Sequence, residues 1–242
     1  MGAFDALLAE IKNDCAWETV PYDKISALAR RCGPDEVRQL IRALDALDDA
    51  DLEGDAGDGI DEYWRLRTAY SQALAEVGEL AIEPLLQALA SQNPKTRAYS
   101  ARALGMMGTK RAFEPVVSLL ATEGDDGARM MLIEALGGIG DERAVPVLLR
   151  YLKAPEQVNR GWIIRVAANA LGKLGAEAVI KPLAEVLATD PDWFARLGAA
   201  EGLRKIRHPG AAAALSRGLD DKDTRVRGEA AAGLQELARP PL

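Results

Sequence analysis

Histidine is almost absent from this chain of 242 residues, with His208 its single copy. Cysteine is nearly as scarce. Cys15 and Cys32 stand alone, in no Cys-x-x-Cys or Cys/His spacing, so the sequence builds neither a disulfide framework nor a thiolate metal site, and reduced structural thiols are expected. Aromatic residues make up only 5%, and with Ala, Leu and Gly crowding the chain this excludes a sheet core of β-branched and aromatic side chains and favours closely packed helices. No apolar run approaches the roughly 20 residues that span a bilayer. The opening MGAFDALLAEIKND carries acids where a secretory leader has bases, so a cytoplasmic protein with no membrane partner is expected. GxSxG, P-loop, GxGxxG and HExxH patterns are missing too. No nucleophile stands beside a base, and no catalytic residue, metal ligand or cofactor is assigned.

What is present suffices to fold: 48% hydrophobic residues against 28% charged ones is the balance of a soluble globular chain, not of a disordered one. The net charge of −7 is local. Between Asp48 and Glu62 the sequence DDADLEGDAGDGIDE holds eight acids and no Lys or Arg; of the 37 acids 29 then remain, against 30 bases. A near-neutral body offers no basic stripe for phosphates, which argues against nucleic acid as a partner.

One phrase recurs along the chain. SQALAEVG ends at Gly78, ARALGMMG at Gly108, IEALGGIG at Gly140 and ANALGKLG at Gly175; AEGLRKIR and AAGLQELA follow as degraded copies. Their anchor leucines, Leu74, Leu104, Leu136, Leu171, Leu203 and Leu234, are spaced by 30, 32, 35, 32 and 31 residues, a period that defines a repeat architecture. Every copy but the first is preceded by a shorter apolar segment, so each repeat is a pair of helices. Pro84, Pro115, Pro146 and Pro182 are expected in the opening turn of the first helix, where a missing N–H is harmless. The last glycine of ALGxxG is expected to stop the second helix in a left-handed conformation. Upstream, 4–13 and 22–33 read as capping helices and 34–47 as the first helix of repeat one.

Seven residues before the anchors stand Arg67, Arg97, Arg129, Arg196 and Arg227, with Ile164 then Arg165 in the fourth copy. Thirteen before them stand Asp61, Ser91, Glu123, Val158, Asp190 and Asp221. Carboxylates at the turn within a repeat and arginines in the next helical turn suit bidentate pairs between neighbouring repeats. Near-copies in so many repeats indicate a structural ladder, not an active site.

Paired helices of this period, with ALGxxG, a first-helix proline and the acid/arginine ladder, resemble HEAT repeats of the short variety found in phycobilin lyases and many bacterial scaffold proteins. The resemblance covers roughly 34–238. It implies an all-α, right-handed α-solenoid of six helix pairs, with capping helices over 1–33 and one continuous domain over 34–242. Deoxyhypusine hydroxylases are HEAT-repeat enzymes that bind iron through several His-Glu dyads; a chain whose one histidine precedes Pro209 cannot supply such a set.

Two irregularities interrupt the repetition. The insertion at 48–60 falls where other copies spend a few residues, and long loops inside compact arrays are uncommon without a role. Asp51, Glu53, Asp55 and Glu62 echo a calcium loop, but Ala56 replaces its glycine and position 8 is not apolar. Calcium binding, docking of a basic partner through Asp51, Glu53, Asp55 and Asp58, and a merely solvated loop remain open. The second irregularity is aromatic. Trp64 and Trp193 lie ten before their anchors, and Trp162 and Phe194 nine before, so Trp162, Trp193 and Phe194, with Met130 nearby, form either an exposed patch or the filling beneath the interhelical turns; Trp17 reads as cap packing.

Three functional readings follow. The leading one is a non-enzymatic scaffold or adaptor that binds another protein with the exposed face of the second helices, two and six residues before the anchors: Thr68, Gln72, Arg102, Met130, Glu134, Arg165, Asn169, Leu197 and Glu201. The resemblance implies a second, a bilin lyase or chromophore-chaperone subunit of the E/F type, for which the aromatics suit a tetrapyrrole, although no clear copy of the YYAAWWLG-like segment of those lyases is present. The third is a calcium-responsive binding module.

Overall fold

The structure is a computed structural model that describes residues 3–16, 21–47, 59–153 and 159–238. Trp17, Val158 and residues 48–58 of the acidic segment, with Asp51, Glu53, Asp55 and Asp58, lie outside these residues, as does the side chain of Asp61.

The expected all-α class holds: no strand occurs among the described residues. The chain forms two compact units, Met1–Leu119 and Leu120–Leu242. The first contains α1 (Ala3–Ala16), α2 (Tyr22–Ala29), α3 (Pro34–Asp45), α4 (Gly59–Val77), α5 (Glu79–Ala88), α6 (Pro94–Met107) and most of α7 (Phe113–Leu120). In it α1 and α2 pack on each other and on α4, α3 packs on α5, and α4 packs on α6. The second contains α8 (Asp126–Ile139), α9 (Ala144–Leu152), α10 (Arg160–Leu174), α11 (Ile180–Thr189), α12 (Trp193–Ile206), α13 (Ala212–Gly218) and α14 (Thr224–Leu237). There the second helices run in a row α8, α10, α12, α14 and the first helices in a row α9, α11, α13.

The anchors are the core. Leu74, Leu104, Leu136, Leu171 and Leu203 are fully buried, each worth about 1.5 to 3 kcal/mol of transfer from water. Leu234 is half-buried, because among the described residues no helix follows α14. The small residues beside the anchors let backbones meet. A Cβ on Gly172 would lie 2.6 Å from the carbonyl oxygen of Gly202, and one on Gly198 would run into Cα of Arg165, so α10 and α12 are in main-chain contact at two levels.

Helix ends follow the expected chemistry in most copies. Gly108, Gly140 and Gly175 stop α6, α8 and α10 in the left-handed conformation; at the fifth copy Arg207 must adopt it, with φ 50°. Pro115, Pro146 and Pro182 are third residues of α7, α9 and α11, but Pro84 lies sixth in α5. Where 3₁₀ turns over 110–112 and 177–179 precede the helix proper in α7 and α11, α5 has α-helix from Glu79 onward, which carries Pro84 into its interior.

Candidate functional site

The turn within each repeat is held by a recurring set of bonds. Arg97, Arg129, Arg196 and Arg227 each donate to the main-chain carbonyl six residues back, that of Ser91, Glu123, Asp190 and Asp221, at 2.7–2.9 Å. Arg67, whose repeat carries the insertion, reaches the carbonyl of Leu47 at 2.6 Å. The side chain at that same recurring acid or serine position accepts the amide two residues on, which belongs to Asn93, Asp125, Asp192 or Asp223. These four cap α6, α8, α12 and α14 through their side-chain oxygens, satisfying amides that the helix leaves unpaired.

One recurring ladder bond is thus side chain to main chain, and bidentate pairs between neighbouring repeats are formed beside it. Arg196 makes one with Asp221, Nε to Oδ2 2.7 Å and Nη2 to Oδ1 2.9 Å. In the fourth copy, where Ile164 replaces the ladder arginine, Arg160 makes another with Asp190 at 3.0 and 2.6 Å. Hydrogen bonds from Arg196 hold the Asp221 carboxyl below the usual carboxylate range against the effect of burial. Burial pushes Asp190 upward, but Arg160 and the Asp192 amide outweigh it and lower its pKa.

A different arrangement occupies the face formed by α8, α10 and α12. Here lies a groove of about 440 Å³, lined from α8 by Glu134, from α10 by Trp162, Arg165, Val166, Asn169, Ala170 and Lys173, and from α12 by Glu201, Arg204 and Lys205. Its floor is an ion network. Arg165 grips Glu201 with Nε to Oε2 at 2.9 Å and Nη2 to Oε1 at 2.5 Å. Asn169 donates to the same carboxylate at 2.6 Å and to the Arg165 carbonyl at 3.0 Å, and its Oδ1 accepts from Lys205. Burial alone would raise the Glu201 pKa; the bonds from Arg165 and Asn169 and the charge of Lys205 reverse this and hold it ionised below the usual range.

The aromatics cluster at the mouth of this groove. Phe194 lies 4.4 Å, centroid to centroid, from Trp162 and 5.1 Å, edge on, from Trp193. The Arg165 guanidinium sits 4.5 Å over Phe194 and that of Arg225 3.3 Å over Trp193, contacts in which the cation faces the ring quadrupole. Phe194 and Trp193 are half-buried, whereas Trp162 is 54% exposed. The cluster is therefore both filling and surface: Phe194 fills, and Trp162 presents an outer ring to whatever enters the groove.

Of the residues expected on the second-helix face, Glu134, Trp162, Arg165, Asn169 and Glu201 line this groove and Phe194 backs it. Met130 and Leu197 are half-buried on α8 and α12 away from its lining. Arg102 on α6 and Gln72 on α4 belong to the first unit, where Gln72 bonds Glu76 and Thr68 is buried. Lys173, Arg204 and Lys205 were not among the expected residues. Lys173 and Lys205 stand two after their anchors, one helical turn past Asn169 and Glu201, so extending the same stripe by four residues finds them. Elsewhere, the Cys32 thiol is pushed up to about 11 by burial and the charge of Glu36 and is not poised as a nucleophile. Among the described residues no cluster of three His, Cys, Asp or Glu side chains could hold a metal ion, and no helix is long and apolar enough to cross a membrane.

The HEAT-repeat family profile matches residues 82–168 and again 161–235, the stretch whose turns and glycine stops repeat. The chain belongs to the HEAT-repeat family. This HEAT-repeat chain is similar to the bilin biosynthesis protein PecF of Mastigocladus laminosus, 27% identical over 176 residues, which is 67% of this chain and 82% of that protein. Its fold resembles that of the complex of CpcE and CpcF of phycocyanin lyase from Nostoc sp. PCC7120, with TM-score 0.51 and 24% identity over 99% of this chain and 89% of that one. An engineered protein has a similar fold, with TM-score 0.53 and 18% identity over 99% of this chain and 69% of that one. The expected resemblance to short, phycobilin-lyase-like HEAT repeats is borne out.

Proposed function

We propose that this chain handles a bilin, as a lyase or chromophore-carrying subunit, and that the groove of α8, α10 and α12 is where the bilin sits. The similarity to PecF carries the reading and favours the bilin alternative over the plain adaptor that stood first on sequence alone. The groove supplies chemistry that suits it: an exposed indole for stacking on a planar conjugated ligand, four cations against two carboxylates along the walls, and volume for a drug-sized molecule. A linear tetrapyrrole is planar in parts, conjugated, rich in N–H donors and doubly anionic through its propionates, and each property has a counterpart here. Because the Nostoc phycocyanin lyase is a complex of two chains, we further propose that a second protein subunit completes the function and that the open groove is closed by it.

The test is optical. Purified chain mixed with a bilin in equal amount should shift and sharpen the long-wavelength absorption of the bilin, because a bound chromophore loses the freedom of its free, coiled forms. A spectrum that is the sum of the two components, at concentrations up to about 0.1 mM, where affinities down to about −5.5 kcal/mol would register, removes the proposal and returns the chain to the adaptor reading.

A further inference from the structure

The cations of the groove differ in what already faces them. Arg165 is gripped by Glu201. Arg204 is held by two carboxylates of α14, Glu229 at 2.5 Å and Glu236 at 2.7 Å. The two lysines have weaker company: Lys205 bonds a neutral amide oxygen, that of Asn169, and Lys173 lies 3.7 Å from Glu134, with both side chains nearly half exposed, a contact that contributes little. Burial, and next the charge of Lys173, push the Lys205 pKa down, while Glu201 and Glu229 pull the other way. Two ammonium groups therefore share one end of the groove and repel each other. The opposite end is aromatic. Trp162 and Lys173 stand eleven residues apart on α10, about three turns, so they share a face and are separated by about 16 Å along the axis.

We infer that Lys173 and Lys205 are the carboxylate-reading end of the groove, taking the propionate groups of a chromophore whose ring system extends toward Trp162. The inference rests on the bilin reading and goes beyond it by naming which part of the ligand is recognised and which residues recognise it. A carboxylate placed between the lysines screens their repulsion and makes charge-assisted hydrogen bonds to both. Arg165 and Arg204 cannot do the same without giving up carboxylates that already hold them. A ligand that engages both ends must be several rings long, which a linear tetrapyrrole is and a single-ring metabolite is not.

The probes are biliverdin and its dimethyl ester, which keeps the ring system and loses both charges. Each is titrated into the full chain and read by absorbance, for the parent protein, the double variant Lys173→Gln with Lys205→Gln, and Trp162→Ala, after circular dichroism has shown that each variant is folded. The parent should bind the diacid about tenfold or more tightly than the diester, the range expected for hydrogen bonds to charged groups. The double variant should bind both forms with the affinity of the diester, and Trp162→Ala should weaken both while keeping their ratio. Equal affinity of the parent for diacid and diester, or a diacid preference that survives in the double variant, overturns the inference and leaves the bilin reading standing. If the parent binds neither form, the bilin reading itself fails and takes the inference with it.

Discussion

The turns of the repeats and the groove of α8, α10 and α12 are built from the same residue types but differ in which of their bonds recur. In the turns, arginine bonds to main chain: Arg97, Arg129, Arg196 and Arg227 all reach the carbonyl six residues back, and any sequence with that spacing can repeat the bond. In the groove, charged side chains bond to side chains of the neighbouring helix: Arg165 to Glu201, Lys205 to Asn169, Arg204 to Glu229 and Glu236. Such bonds depend on what the next repeat carries, and they do not recur. Recurrence marks what holds the fold, and its failure marks what distinguishes this chain from any other stack of helix pairs.

Substitutions in the turns are expected to change stability and leave ligand binding alone, and substitutions in the groove to do the reverse. The largest stability effect is expected at Arg196. Its side chain and that of Asp221 are only 5% and 8% exposed, so Arg196→Met leaves a buried carboxylate uncompensated at a cost of about 3 to 5 kcal/mol, measurable by urea unfolding. The same pair sets the acid response. Since the Asp221 pKa is lowered in the folded chain, its contribution is complete above the ordinary carboxylate value of about 3.9 and is lost as pH falls below it; in the Arg196→Met variant this part of the acid destabilisation should be missing.

Gly172→Ala comes next and affects stability and binding together, because it disturbs the helices that carry the groove walls. Its Cβ would meet backbone, with Gly202 O at 2.6 Å and Gly202 Cα at 2.8 Å, and forcing α10 and α12 apart should cost about 1 to 3 kcal/mol and weaken bilin binding together with stability. A Tm equal to that of the parent would show that the helices are not in close contact. A smaller effect of opposite sign is expected at Arg207, which sits at φ 50° where the first four copies have glycine. Arg207→Gly should raise stability by about 0.5 to 1 kcal/mol, because its contact with Glu236, 3.8 Å and largely exposed on the arginine side, contributes little.

The unequal legibility of the two regions follows from the same contrast. Period, anchors, glycine stops and the arginine positions could be read from the sequence because each is written several times, and copies correct one another. The caps at Asn93, Asp125, Asp192 and Asp223 are equally repeated and carry the usual cap residue types; the carboxylate pairing expected of the ladder is formed by Arg196 with Asp221, while the bond shared by four copies goes to a main-chain carbonyl. Arg160 could not be read from the pattern, since it replaces a missing ladder arginine from a different position. For the groove, Trp162 and Phe194 were visible as departures from repetition, and the stripe through Arg165, Asn169 and Glu201 from its register before the anchors. The lysines that complete it stand two after the anchors, one helical turn beyond the register that defines the stripe. That Arg102 and Thr68 share that register without sharing the site reflects their place in the first unit, where Thr68 is buried against its neighbours.

The central claim, that the groove at Trp162 is the binding site, is tested most directly by comparing two tryptophans of equal exposure. Trp162 is 54% exposed and Trp64 53%; only Trp162 lines the groove. Each is replaced by alanine, and the variants are titrated with a bilin and followed by the absorbance of the chromophore. Both variants should keep the parent's stability to within about 0.5 kcal/mol, as exposed positions do. The account predicts that Trp162→Ala loses affinity at least about tenfold, on the scale of an interfacial hot spot, and that Trp64→Ala binds as the parent does. Parent-like binding by Trp162→Ala, with or without a loss in Trp64→Ala, contradicts it.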